Sequence, residues 1–337
     1  MIQTYKIRHE QDFSHELRLA KKVAEYGIKT KSRSSADVKH IGLKSMISNQ
    51  ILRKYGKSKT VKKAKSVKLT VPNQGIKVKE DKVVIPCLKL ELPIYFKKDF
   101  QKINQLEVGK EYAHISVSYD EPEQFTPTSF YGVDRNTTGH CLVASNPTTG
   151  KVLKLGKMAH HIHLKYKHMR KNLQKKGKLD LLKKIKDRES RIVRNLNHHV
   201  SKKIVEECKK EKSGLVLEEL KNIRKTAKTR RKQRYSLNSW SFYQLKQMVE
   251  YKAKKQGVPV FYVAPEYTSQ RCSVCGHIES SNRKGKLFQC KLCGKVENAD
   301  VNAGFNIAYL HQTGISRFVK DRDLTKGNTD VPKEALA

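Results

Sequence analysis

Four of the seven cysteines form two closely spaced pairs. Cys272 and Cys275 lie in "CSVCG", Cys290 and Cys293 lie in "CKLCG", and 14 residues separate the pairs. Two short turns joined by a hairpin can place four thiolates around a tetrahedral Zn²⁺ ion. A glycine follows each pair, where such a turn favours a positive φ. Free thiols or a redox pair are the alternatives, but we predict one structural Zn²⁺, because four Cys ligands leave no position open for substrate.

Three acidic residues stand at the ends of apolar segments. Asp134 follows a short apolar run in "YGVDRN", Glu218 ends "GLVLE", and Asp300 begins an apolar-periodic helix in "ADVNAGFNIA". Taken singly, they suit a turn residue, a surface acid and a helix N-cap. Clustered carboxylates instead repel one another unless cations neutralise them. Two Mg²⁺ ions, which prefer oxygen ligands, could then hydrolyse a phosphodiester, one activating water and the other stabilising the leaving oxygen.

The elements that must position these acids are predicted from residue 130 onward. "FYGVDRN", "GHCLVAS" and "KVLKLG" indicate three strands, and 159–212 is helical with one break near "KKGKL". "GLVLEEL" predicts a strand, "SFYQLKQMVEYKAKKQG" a helix and "VPVFYVAP" a last strand. This is the element order of an RNase H-like α/β fold, in which the three acidic positions meet at one edge of the central strands.

The first part of the chain has a different pattern. Helical spacing of apolar residues predicts helices over 13–26 and 38–55. From residue 66 to 120, apolar residues alternate with basic or polar ones, which is typical of half-buried strands in a small β-barrel or sandwich. A basic linker, 57–68, separates the two parts.

The charge of the chain points to a polyanionic partner. Lys and Arg number 71 against 32 Asp and Glu, a net charge of +39. Nucleic acid is favoured over an anionic membrane surface, because no apolar run has the length of a membrane span. The N-terminus lacks an apolar signal core, and we therefore expect a soluble, intracellular protein.

Two basic segments are candidates for backbone contact with nucleic acid. The stretch 151–212 holds 21 Lys or Arg against six Asp or Glu, and 222–234 has no acidic residue. A surplus of this size favours a polyanion-facing surface over a mixed solvated one. The candidate contact residues are Lys165, Lys167, Arg170, Arg224, Lys225, Arg230, Arg231 and Arg234.

The motifs from 130 to 312 resemble the TnpB family, transposon-encoded relatives of type V CRISPR effectors. The resemblance rests on "GVDRN", "LVLEEL", "TSQRCSVCG", "FQCKLCG" and "ADVNAGFNIA". It implies a RuvC nuclease domain over 130–269 and 298–312, with the zinc ribbon inserted at 270–297. The family's catalytic acids fall on Asp134, Glu218 and Asp300, and the neighbouring Glu219 is not chosen because the first acid of that motif is catalytic.

The region 1–129 resembles the family more loosely. The resemblance implies an oligonucleotide-binding-like wedge barrel with a small helical recognition lobe at about 10–57, and we expect 313–337 to be disordered. The chain departs from the family at Asn136, where Gly is common, and at "NAD" (298–300), where acid-Arg-acid is frequent.

The resemblance implies an Mg²⁺-dependent, RNA-guided DNA endonuclease. Its partners would be a guide RNA from its own locus and a double-stranded DNA target beside a short adjacent motif. We expect a monomer or dimer in the prokaryotic cytosol, associated with the nucleoid. Three alternatives remain open: a catalytically silent or unguided binding protein such as a domesticated repressor, a zinc-ribbon RNA binder, and a true transposase.

Overall fold

The computed structural model describes residues 1–58, 60–97, 99–220 and 242–319 of the 337-residue chain. The chain divides into two compact units, Met1–Glu121 and Pro122–Ala337. Within the described ranges, no helix combines the length and the apolar character needed to cross a membrane.

The first unit contains two antiparallel sheets. A four-stranded sheet has the order β1-β7-β6-β2, and a three-stranded sheet has the order β3-β4-β5. The strands are β1 (Ile2–Arg8), β2 (Leu69–Pro72), β3 (Lys77–Lys79), β4 (Lys82–Ile85), β5 (Leu90–Pro93), β6 (Lys102–Val108) and β7 (Tyr112–Ser118). Both sheets contribute to one hydrophobic core. Among the described residues of this unit, the hydrogen-bonded ladders form two sheets, which agrees with the expected barrel or sandwich of half-buried strands, and the wedge barrel stays a prediction.

Strand β6 was not predicted, although it lies in the middle of the four-stranded sheet. Its pairing with β7 shifts register between Ile103 and Gln105. Such a bulge places an extra residue in one strand and breaks the alternation of apolar and polar side chains. The buried positions Ile103 and Leu106 are therefore three residues apart, and the period of two is lost in the sequence.

Two helices cover the core of this unit. Helix α1 (Ser14–Thr30) and helix α2 (Ser45–Tyr55) pack together where a Cβ added at Gly27 would lie 2.8 Å from Leu52. The prediction that the second helix begins at 38 was wrong. A separate 3₁₀ helix, Ser35–Ile41, ends at Gly42, whose φ of 81° stops helical propagation.

The second unit is built on a five-stranded sheet with the order β10-β9-β8-β11-β12. Its first three strands form an antiparallel meander, while β11 runs parallel to both β8 and β12. The strands are β8 (Ser129–Arg135), β9 (Leu142–Ser145), β10 (Val152–Leu155), β11 (Ser213–Glu218) and β12 (Val260–Val263). The predicted order of three strands, helical stretch, strand, helix and strand is confirmed.

The helical stretch between β10 and β11 has two breaks rather than the single break predicted. It comprises α3 (Met158–Lys175), α4 (Leu179–Ile185) and α5 (Arg188–Lys210). The predicted break contains Gly177, with a φ of 64°, and the second lies just before Arg188. Helix α6 (Phe242–Gln256) packs against α5 and leads into β12.

A small three-stranded antiparallel sheet lies between β12 and the last helix. Its strands are β13 (Arg283–Lys284), β14 (Leu287–Gln289) and β15 (Val296–Asn298), and α7 (Ala299–Gln312) follows directly. Phe318, in the segment expected to be disordered, is buried and lies with its ring 4.5 Å from the Arg271 guanidinium. Residues 320–337 lie outside the described residues.

Candidate active site and metal centre

Asp134 and Glu218 lie side by side at one edge of the five-stranded sheet. Asp134 is the penultimate residue of β8, and Glu218 is the last residue of β11. The two strands are parallel, and Leu217 pairs with Val133. Each acid directly follows a residue of this pair, so both lie at the carboxyl ends of adjacent strands and on the same face of the sheet.

Two glycines bring Asp300 to the same face. Gly132 lies two residues before Asp134, so a side chain there would point to the same side of the sheet. A Cβ on Gly132 would lie 2.0 Å from the Gly304 carbonyl oxygen, so α7 crosses β8 in direct backbone contact. Asp300 lies one helical turn before Gly304, at the start of α7, and therefore reaches the edge that carries the other two acids.

The three carboxyl groups are buried and interact electrostatically. Asp134, Glu218 and Asp300 are 8%, 8% and 3% exposed. Burial, and after it the charge of Asp300, raises the pKa of Asp134 to about 6. Burial, and after it the charge of Asp134, raises the pKa of Glu218 to about 7. Buried like charges of this kind favour the binding of a proton or a metal cation.

Polar neighbours orient two of these acids. The Asn136 side-chain amide donates to Asp134 Oδ2 at 3.0 Å, and the Thr268 hydroxyl donates to Glu218 Oε1 at 2.6 Å. Asn136 is one of the two departures from the family pattern, and its amide serves here as a hydrogen-bond donor to the candidate catalytic acid. Thr268 was not identified from the sequence, because it lies 50 residues from Glu218 and no spacing connects the two.

Asp300 is held by two cations of the small sheet. Lys286 Nζ lies 2.5 Å from Asp300 Oδ2, and an Arg283 guanidinium nitrogen lies 3.3 Å from Oδ1. The Lys286 side chain also passes over the turn at Gly139, within 4 Å of the position of a Cβ there. Sequence reasoning missed both cations, although the run "NRKGK" (282–286) marks the hairpin as basic.

Asp300 does not cap its helix. The Asn298 side-chain oxygen accepts hydrogen bonds from the backbone N–H groups of Asp300 and Val301, at 3.1 and 3.3 Å. Asn298 is therefore the N-cap, and the alternative role considered for Asp300 is wrong. The second departure from the family pattern, "NAD", thus supplies a capping residue and leaves the Asp300 carboxylate to its ion pairs with Lys286 and Arg283.

The four cysteines converge as predicted. Their sulfur atoms all lie within 4.8 Å of one another, with 3.7 Å between Cys272 and Cys293 and 3.5 Å between Cys275 and Cys290. A tetrahedral site with Zn–S bonds of about 2.3 Å has edges of about 3.8 Å, so the donor set fits Zn²⁺.

The local backbone and electrostatics suit such a site. The predicted positive φ angles of the glycines are confirmed at Gly276 (80°) and Gly294 (75°). Burial raises the pKa of the Cys290 thiol, but the backbone N–H groups of Cys293 and Leu292 and the neighbouring thiols of Cys275 and Cys293 together lower that pKa to about 6. Burial raises the pKa of the Cys275 thiol to about 12, so the thiols of the cluster differ in the ease with which they lose a proton. A thiol deprotonated near neutral pH is a ready metal ligand.

The donor chemistry of the acidic site suits Mg²⁺, but the side chains are not yet grouped around an ion. Among the described residues, the four cysteines have ligand atoms close enough together to share one metal ion, whereas the three acids do not yet form such a group. Asp134, Glu218 and Asp300 offer hard oxygen atoms and repel one another, as Mg²⁺ ligands do. Lys286 and Arg283 each contact one oxygen of Asp300, so a metal ion would compete with these cations for the carboxylate.

The candidate contact residues fall into three groups. Lys165 is exposed and Lys167 half-buried on α3. Arg170 forms an ion pair with Glu189, which also contacts His163, so its guanidinium is already engaged. The third group belongs to the basic segment 222–234 and lies outside the described residues: Arg224, Lys225, Arg230, Arg231 and Arg234.

The chain is similar in sequence to several known proteins. Residues 242–307 match the family model described as Cas12f1-like, TNB domain. A TnpB-like protein of Methanocaldococcus jannaschii is 30% identical over 254 residues, covering 74% of this chain and 82% of the relative. The "CRISPR-associated endodeoxyribonuclease Cas12f1" of Sulfoacidibacillus thermotolerans is 40% identical over 129 residues, covering 38% of this chain and only 29% of that relative.

The fold also occurs among solved structures. The cryo-EM structure of a Cas12f1–sgRNA–target DNA complex superposes with a TM-score of 0.59. The two chains are 17% identical, and the alignment covers 88% of this chain and 82% of the Cas12f1 chain.

Proposed function

The chain belongs to the TnpB-like family, and we propose that it is an RNA-guided DNA endonuclease that hydrolyses phosphodiester bonds at Asp134, Glu218 and Asp300. One observation supports this proposal above the others: the carboxyl groups from β8, β11 and α7 are all buried, and Asp134 interacts electrostatically with both Asp300 and Glu218. Two of these groups have a pKa raised to about 6 and 7, which is characteristic of sites that bind a cation.

In this proposal the second unit is an RNase H-like nuclease domain of the RuvC type. The meander β8-β9-β10 followed by the parallel strands β11 and β12 supports this assignment. The first unit would be the wedge domain with its helical recognition lobe, α1 and α2. Guidance would come from base pairing between the RNA and the target strand, while the protein reads the nucleic-acid backbone and the adjacent motif.

Asp134, Glu218 and Asp300 would hold two Mg²⁺ ions, which would activate water and stabilise the charge that develops during cleavage. The side chains of the protein hold these carboxylates in place: Asn136 orients Asp134, and Thr268 orients Glu218.

We propose that Arg283 and Lys286 serve the nucleic acid. Their side chains are 28% and 38% exposed, so they connect Asp300 to the surface. When Arg283 or Lys286 leaves Asp300, its side chain can form an ion pair with a backbone phosphate at the site. A preorganised cation next to a reacting phosphate stabilises the transition state more than the bound substrate.

Nucleic acid is the partner that the charge of the chain supports. The net charge of +39 favours a polyanionic partner. Lys165 and Lys167 lie on the basic helix α3 and could contact its phosphates. From the sequence alone, we also include the five candidate contact residues of the basic segment 222–234. The four cysteines would hold one Zn²⁺, which would fold the small sheet that carries Arg283 and Lys286.

The test is metal-dependent DNA cleavage by the protein purified with the RNA expressed from its flanking DNA. Asp134→Asn, Glu218→Gln and Asp300→Asn should each abolish cleavage while RNA and DNA binding persist. Glu219→Gln is the matched control, because it removes the same charge from the exposed neighbour of Glu218 and should cleave normally. Cleavage by Glu218→Gln at the wild-type rate would contradict the site, and a wild-type protein that binds without cleaving would favour a silent binding protein.

A further inference from the structure

The Thr268 hydroxyl forms a short hydrogen bond to one of the candidate catalytic acids. It lies 2.6 Å from Glu218 Oε1 and 3.1 Å from the Pro265 carbonyl oxygen. A hydroxyl has one proton to donate; the Glu218 oxygen is the nearer acceptor, and it is the stronger one once this carboxyl group is ionised. Thr268 is only 2% exposed, so no water competes with this interaction.

The turn that carries Thr268 is held in an unfavourable backbone conformation. Tyr267 has a φ of 58°, in the left-handed region that costs a non-glycine residue free energy. The N–H groups of Gln270 and Arg271 both bond to the Tyr267 carbonyl and close the turn. Such a conformation persists where surrounding contacts enforce it.

Those contacts come from Asn306 on α7. Its side-chain amide donates to the carbonyl oxygens of Thr268, at 2.9 Å, and Arg271, at 2.7 Å, and its side-chain oxygen accepts from the Arg271 guanidinium at 3.1 Å. Asn306 is fully buried. Both of its N–H donors and its side-chain oxygen therefore bond to the turn between β12 and the cysteine site.

Asn302, one helical turn earlier, provides a natural comparison. It is also fully buried, donates to the Arg271 carbonyl at 2.8 Å and accepts from the Ser273 N–H at 3.0 Å. Both asparagines thus fasten α7 to the same segment, but only Asn306 bonds to Thr268.

We propose that Thr268 is a positioning residue for Glu218 and that Asn306 fixes Thr268 in the geometry needed to orient this carboxylate. The inference rests on the proposed nuclease function, since it assigns Glu218 to metal binding. It makes α7 responsible for two of the three acids: it carries Asp300 directly and orients Glu218 through Asn306 and Thr268.

The first experiment compares Thr268→Val with Thr268→Ser. Valine keeps the volume and removes the hydroxyl, whereas serine keeps the hydroxyl. Loss of a hydrogen bond to a charged group corresponds to about a tenfold or larger effect. We expect Thr268→Val to lower the maximal cleavage rate about tenfold or more and to raise the half-saturating Mg²⁺ concentration, with serine restoring both. Zinc content and the unfolding temperature serve as controls for folding.

Mn²⁺ binding, measured by calorimetry on the full-length protein, gives a readout that does not depend on cleavage. Thr268→Val should bind Mn²⁺ more weakly than wild type, and Thr268→Ser should bind it normally. Equal cleavage and equal Mn²⁺ affinity of Thr268→Val and wild type would overturn the inference while leaving the proposed function intact. A wild-type protein that neither cleaves DNA nor binds Mn²⁺ at this site would overturn both.

A double-mutant cycle tests the role of Asn306. If Asn306 acts through Thr268, then Thr268→Val should slow cleavage much less in the Asn306→Leu background than it does in the wild-type background. In the Asn302→Leu background, Thr268→Val should retain its full effect. If Thr268→Val reduces the cleavage rate by the same factor in both backgrounds, Asn306 does not act through Thr268.

Discussion

Glu218→Gln should make the protein more stable at neutral pH while it abolishes cleavage. Burial and the charge of Asp134 raise the pKa of Glu218 from 4.5 to about 7. The ionised form is therefore disfavoured in the folded state. Glutamine has the shape of the protonated acid, and its side-chain oxygen can still accept from Thr268.

The sign and the pH window follow from proton linkage. Between pH 4.5 and about 7 the folded protein holds a proton on Glu218 that the unfolded chain has lost, so wild-type stability falls as pH rises through this window. The glutamine variant has no such titration. The stability difference between variant and wild type should thus be near zero at pH 4.5, grow through the window and level off above pH 7.

The magnitude follows from the same shift. One unit of pKa corresponds to about 1.4 kcal/mol, so the plateau should be about 3 kcal/mol in favour of the variant. For a unit of this size that corresponds to an increase in unfolding temperature of about 6–12 °C.

The assay is thermal unfolding at several pH values between 5 and 8. The buffer should contain no Mg²⁺. It should also contain no chelator, because a chelator would remove Zn²⁺ from the four cysteines. Glu219→Gln, with the same charge change on an exposed side chain, should show no comparable gain. Adding Mg²⁺ should stabilise wild type and narrow the difference. A pH-independent loss of stability in Glu218→Gln would refute the reasoning, because it would identify Glu218 as a structural residue.

Three further predictions concern the surroundings of the acids. Gly132→Ala should destabilise the second unit by several kcal/mol, on the order of a severe core substitution, because the new Cβ would lie 2.0 Å from the Gly304 carbonyl oxygen. Chemical unfolding would measure the change in the free energy of unfolding. A change near zero would contradict the close contact between α7 and β8. Cys290→Ser should lose the bound zinc and destabilise the small sheet, so an unchanged zinc content would exclude the four-cysteine site. Lys286→Met should bind Mn²⁺ more tightly, since it removes a cation 2.5 Å from Asp300; weaker binding in calorimetry would show that Lys286 supports the metal rather than competing with it.

The elements of the second unit could be predicted because their signals are local. Apolar runs of strand length, the helical periodicity and the Cys pairs each lie within a short window, and the glycines after the Cys pairs specify their own backbone conformation. The order of elements then indicated which strand ends meet, and the structure brings Asp134, Glu218 and Asp300 to one edge.

Other features could not be predicted, because they depend on contacts between distant segments. Thr268 lies in a turn, and Arg283 and Lys286 lie in the β13–β14 hairpin; the tertiary fold sets the position of both segments. Strand β6 was missed because a bulge removes its alternation. Phe318 is buried in contact with Arg271, 47 positions earlier in the chain, and no local sequence pattern predicts this contact.

The most direct test of the central claim is whether the cut follows the guide. The RNA that co-purifies with the protein expressed with its flanking DNA is sequenced, its targeting segment is replaced, and DNA cleavage is mapped for the original and the new guide. The account predicts one discrete RNA and a cut that moves to the new matching sequence, with no cut by Glu218→Gln. A heterogeneous mixture of cellular RNA, or a cleavage pattern that ignores the guide, would contradict RNA-guided cleavage.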